Sequence, residues 1–84
     1  MPTEDPASPD SEDVRIGATI RALRQLHGLT AVQLGALVGK SDRTITAIER
    51  GQRHATYALC RDIAGHLGVP LAAITVKDYR TAAE

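Results

Sequence analysis

Aromatic side chains are almost missing from this sequence: two Tyr, no Phe and no Trp in 84 residues. Any core must therefore be aliphatic, built from Leu, Ile, Val and Ala. Such a core suits closely packed helices better than a sheet, whose pleated faces favour aromatic and β-branched residues. Cysteine is scarce too. A single Cys excludes an internal disulfide and fits a reducing cytoplasm. No apolar run approaches the roughly 20 residues that span a bilayer, so no membrane partner is expected. The N-terminus has no basic stretch leading into an apolar one, and no signal peptide is expected. A phosphate-cradling glycine loop and a triad-like set of nucleophile and base are both missing. The soft metal ligands are His27, His54, His66 and Cys60, and their spacing matches no zinc pattern. The expectation is a chain that is not an enzyme and holds no metal or cofactor.

Net charge is zero, with 10 basic and 10 acidic side chains. The signs are unevenly placed. Residues 1–13 carry Glu4, Asp5, Asp10, Glu12 and Asp13 and no Lys or Arg. Removing these five acids leaves ten basic and five acidic side chains in residues 14–84, a net of +5. The stretch 1–13, MPTEDPASPDSED, reads as a disordered acidic leader. It is either a solubilising tail or a competitor with an anionic partner for the basic part. At this length the remainder is one small domain, and helix caps and close packing matter to it.

What is present organises around Leu29–Gly51, LTAVQLGALVGKSDRTITAIERG. Thr30 can cap a helix over 31–38, and Gln33 completes a capping box. Leu34, Leu37 and Val38 give that helix an inward face. Gly39 ends it in the left-handed backbone, and Gly35 permits a close helix crossing. Ser41 caps a second helix over 42–50, with Ile45 and Ile48 inward and Gly51 as its stop. Helix, glycine turn and helix are the parts of a helix-turn-helix. Before it, a first helix is expected from Val14 to His27, capped by Asp13 or Ser11. Ile16, Ile20, Leu23 and His27 form its stripe. After it, Thr56 caps a helix over 57–67 whose inward residues are Leu59, Cys60, Ile63, Ala64 and Leu67. Gly68 stops this helix, and Pro70 opens a fifth with Leu71 and Ile74 inward.

The segment from about Ile16 to Ile74 resembles the Cro/cI-type (XRE-family) helix-turn-helix domains of phage repressors and bacterial regulators. Three runs carry the resemblance: IRALRQLHGLT (20–30), the helix-turn-helix ending in IERG (48–51), and LCRDIAGHLGV (59–69). It implies an all-α, compact five-helix, lambda-repressor-like domain over 14–75, followed by a C-terminal tail over 76–84. It also implies that the helix at 42–50 enters the major groove of double-stranded DNA.

On that footing Arg43 is the best candidate for base readout, since a guanidinium can donate two bonds to guanine. Asp42 either accepts from cytosine or serves the helix dipole. Thr46 and Ala47 offer methyl groups to thymine. Thr30, Lys40, Thr44, Arg50, Gln52 and Arg53 are the candidate phosphate contacts, with a solvated loop charge as the alternative for Arg53. Arg21 is a surface charge, with a phosphate contact as its alternative. The resemblance implies a structural ion pair between Arg24 and Glu49. The sequence departs from the family pattern at three places. Ala31 stands where relatives often have Gln, Lys40 where they have an apolar residue, and Gly35 where they have Ala.

The expected function is a sequence-specific DNA-binding transcription regulator. It would be a repressor acting on an operator, bacterial or phage-encoded, cytoplasmic and nucleoid-associated. A homodimer is expected, with Ile74, Val76 and Tyr79 as its contact, against a frayed tail as the alternative. With no room for an effector domain, regulation would come from concentration, a regulatory partner protein or proteolysis. The rival reading is a protein-interaction module, an antitoxin or adaptor, that uses the same fold mainly to hold a partner protein.

Overall fold

A computed structural model describes residues 11–75 of the chain. It contains α1 (Ser11–Leu26), α2 (Ala31–Val38), α3 (Asp42–Glu49), α4 (Tyr57–Leu67) and α5 (Ala72–Thr75), with no strand among the described residues. Residues 1–10 of the expected leader 1–13 and the expected tail 76–84, with Val76 and Tyr79, lie outside them, while residues 11–13 of that leader are helical.

Cap chemistry sets most of these limits. Before α2, Thr30 Oγ1 accepts from the Gln33 N–H at 3.0 Å and Gln33 Oε1 accepts from the Thr30 N–H at 2.8 Å, a closed capping box. Ser41 Oγ accepts from the Thr44 N–H before α3, and Thr56 Oγ1 from the Leu59 N–H before α4. At the other end of α2, Gly39 takes φ +73°, and the Lys40 N–H reaches the Gly35 carbonyl at 2.8 Å.

Several boundaries differ from those expected. α1 begins at Ser11 rather than Val14 and ends at Leu26, so neither Asp13 nor Ser11 precedes it as a cap. Glu12 and Asp13 instead lie in its first turn, where a carboxylate complements the positive end of the helix dipole. α3 stops at Glu49; Arg50 is its C-cap and Gly51 takes φ +77° beyond it. Pro70 lies before α5, and its carbonyl accepts from the Ala73 N–H.

The core consists of Ile16, Ile20, Leu34, Ile45, Ile48, Ala55, Leu59, Cys60, Ile63, Ala64, Leu67 and Ile74. Leu23, Leu29 and Val38 pack on it half-buried. Two expected inward residues are not inside. Leu37 is exposed, because the buried face of the short α2 is only as wide as Leu34 and Gly35. His27 is exposed past the end of α1, donating from Nδ1 to the Leu23 carbonyl at 2.9 Å.

Two glycines permit close backbone approaches, of α1 to α3 and of α2 to the turn that follows it. At Gly17 of α1, a Cβ would collide with the Ile48 carbonyl oxygen and come within 2.9 Å of that of Glu49. At Gly35 a Cβ would collide with the carbonyl oxygen of Lys40, in the turn. The close approach expected at Gly35 is thus to the turn backbone rather than to the next helix. The close approach of two helices is made at Gly17. Near the start of α1, Arg15 Nη2 donates to the Thr75 carbonyl at 3.0 Å and holds the C-terminus of α5.

Candidate nucleic-acid interface

α3 lies between α1 and α2, with Ile45 and Ile48 buried and its opposite side open. Asp42, Arg43 and Arg50 are exposed, while Thr44, Thr46 and Ala47 are half-buried along the flanks. At 3.6 residues per turn, Arg43 and Arg50, seven apart, point within about 20° of each other and stand about 10 Å apart along the helix. Two guanidiniums therefore share one outward stripe.

The ion pairs sharpen the charge of that stripe. Arg24 donates from Nε to Glu49 Oε2 at 2.6 Å and from Nη2 to Oε1 at 3.0 Å; its Nη1 reaches the Leu29 carbonyl at 2.8 Å. The hydrogen bond to Glu49 raises the guanidinium pKa above its ordinary value, against the opposing effect of burial. Glu49, at the edge of the α3 surface, thus has its charge met from behind. His54 Nδ1 meets Asp13 Oδ1 at 2.9 Å, and Arg15 meets Glu12. Among the described residues, Arg21, Lys40, Arg43, Arg50 and Arg53 take part in no ion pair. Asp42 is the acid left on the open side of α3.

The structure gathers some of the expected residues and spreads others. Lys40 is exposed in the turn ahead of α3, and Ser41 Oγ donates to Thr44 Oγ1 at 3.1 Å at its first turn. Gln52 folds back on α3 through its N–H to the Ala47 carbonyl, leaving its side chain and that of Arg53 exposed. Thr30 belongs to the start of α2, where its hydroxyl oxygen is engaged by the cap. The sequence reading gave no role to Gly17, Arg15 or the Asp13–His54 contact. All three depend on which elements meet, and no local pattern announces that.

Among solved structures, the chain is similar to the restriction-modification controller protein C.AhdI from Aeromonas hydrophila. The identity is 26%, over 77% of this chain and 98% of that one, with a TM-score of 0.73. It is similar to an HTH_3 family transcriptional regulator from Vibrio cholerae at 27% identity, over 84% of this chain and 40% of that one, with a TM-score of 0.73. The clp gene regulator ClgR from C. glutamicum shares the fold at 23% identity, over 83% of this chain and 90% of that one, with a TM-score of 0.75. No curated protein sequence matches significantly. The HTH_3 helix-turn-helix family model matches residues 20–74, well over half of the chain. With that match and the exposed, cation-bearing α3 of its helix-turn-helix, the chain belongs to the HTH_3 (XRE) family and is a DNA-binding transcription regulator.

Proposed function

We propose that this regulator is a repressor that reads its operator with α3 in the major groove and binds as a homodimer. The observation that carries the reading is the stripe of Arg43 and Arg50, free of acid partners among the described residues, on the open side of a helix fixed from behind. In this reading Arg43 reads guanine, with Asp42, Thr46 and Ala47 as further base contacts. Thr30, Lys40, Thr44, Arg50, Gln52 and Arg53 hold the phosphates. Two such helices in a two-fold dimer would meet half-sites one helical turn apart, about 34–36 Å. The cellular setting is the bacterial cytoplasm.

A second reading is an adaptor that holds a partner protein. The 62% exposure of Val32 and the 44% exposure of Leu37 on α2 favour it. Salt titration of binding to random duplex DNA separates the two. The repressor reading requires log affinity to fall linearly with log salt, with a slope of about −0.9 for each phosphate engaged. Absence of duplex binding at low salt would leave the adaptor.

A further inference from the structure

We propose that Arg21 of α1, with Thr46 of α3 and Arg50 at the α3 C-cap, forms a binding site for a phosphate group in the notch between the two helices. Arg21, Arg24, Thr46, Glu49 and Arg50 line an open notch of about 150 Å³. That is well above the roughly 10–15 Å³ that admits one water. Inside it the charges do not cancel. Glu49 accepts from Arg24 through both carboxylate oxygens, and Arg24 is further engaged by the Leu29 carbonyl. Arg21 and Arg50 remain, both exposed and neither in an ion pair among the described residues. Thr46 completes the lining and carries a neutral hydroxyl.

Two guanidiniums that line one notch, whose carboxylate is already engaged by Arg24, attract an anion that enters between them. Tetrahedral oxyanions suit that arrangement, because guanidinium forks donate paired N–H groups to phosphate oxygens. The Arg24–Glu49 pair fixes part of the notch lining, against which the exposed Arg21 and Arg50 side chains can close on a ligand. Arg21 comes from α1, 29 positions before Arg50 in the chain, and only the packing of α1 on α3 joins them.

The phosphate can belong to a DNA strand or to a free phosphate compound. The notch borders the stripe of Arg43 and Arg50, and a helix seated in the major groove has a phosphate strand along its side. For the strand as source, the site rests on the DNA-binding reading above; for a free phosphate it does not.

The test uses the full chain and the variants Arg21→Gln, Arg50→Gln and Arg43→Gln, with helix content checked by circular dichroism. Inorganic phosphate is titrated against chloride at equal ionic strength, and backbone amide resonances are followed by NMR. Saturable changes at Arg21, Thr46 and Arg50 are expected, lost in Arg21→Gln and Arg50→Gln and kept in Arg43→Gln. In parallel, Arg21→Gln should make the salt slope for random duplex less negative by about 0.9. A lost phosphate response with an unchanged slope supports the site and names a free phosphate compound as its ligand. A wild-type chain that takes up phosphate but binds no duplex overturns the repressor reading and leaves the site standing. The site itself is overturned if phosphate acts no differently from chloride, or if Arg21→Gln and Arg50→Gln respond as the wild type does.

Discussion

Arg24 and Glu49 are joined by two parallel hydrogen bonds, 2.6 and 3.0 Å long, that tie the last turn of α1 to the last turn of α3. Their side chains are 13% and 5% exposed, so neither charge is well hydrated once the other is removed. Removing one partner of a buried pair costs about 3–5 kcal/mol, and residual exposure places this one near the low end. Arg24→Ala and Glu49→Ala should each lower unfolding free energy by about 3 kcal/mol in urea titrations. Arg24→Lys should rescue little, because an ammonium cannot reproduce a fork that also reaches Leu29. A loss below about 1 kcal/mol would put this contact with ordinary surface pairs.

Gly17 and Gly65 should respond to alanine with opposite signs. A Cβ at Gly17 runs into the Ile48 carbonyl oxygen, so α1 must move away from α3. Gly17→Ala should cost about 1–3 kcal/mol, as overpacking does. At Gly65, inside α4, a Cβ meets nothing within 4 Å. Gly65→Ala should add about 0.5–1 kcal/mol through helix propensity. Thermal melts of the two variants side by side measure both effects, and equal signs would contradict the packing described for α1 on α3.

Arg43 and Arg53 should fail differently on DNA. Arg43→Ala should weaken operator binding by about 1–3 kcal/mol and relax the sequence preference, while random duplex is less affected. Arg53→Ala should weaken operator and random duplex alike and reduce the salt slope by about 0.9. Equal losses on both duplexes for Arg43→Ala would reassign it to the phosphates. Competition binding at two salt concentrations reads all of these.

Cys60 gives the stability curve an alkaline edge. Burial pushes its thiol above the ordinary value of 9.0, and Sγ faces the Ala55 carbonyl oxygen at 3.9 Å. The folded state therefore keeps the proton longer than the unfolded chain. This contribution is fully present below about pH 9 and is lost as pH rises through the raised folded value. Urea midpoints should fall more steeply above pH 9 in the wild type than in Cys60→Ala. Parallel curves for the two would show that the thiol ionises equally in both states.

Most element limits were legible in the sequence because caps are local. Thr30 with Gln33, Ser41 with Thr44 and Thr56 with Leu59 satisfy backbone groups within three residues, and no distant contact is needed. The start of α1 is not legible in the sequence, for a physical reason. Acids suit a solvated leader and a helix N-terminus equally, so Glu12 and Asp13 do not tell the two apart. Periodicity placed Leu37 and His27 on buried faces, but it sets the direction of a face and not its width. The width depends on how many neighbours a helix has, and α2 is short.

By itself, then, the chain's order of residues determined five helices, their glycine stops and the pairing of α2 with α3 into a helix-turn-helix. Those follow from hydrogen bonds and side-chain spacings a few residues long. Only the tertiary structure decided that Gly17 must be bare, that Arg15 reaches the end of α5, and that Arg21 arrives beside Arg50. These outcomes depend on how α1 crosses α3 and meets α5, and the angle and depth of that crossing are set by the packing of the whole core rather than by any one segment.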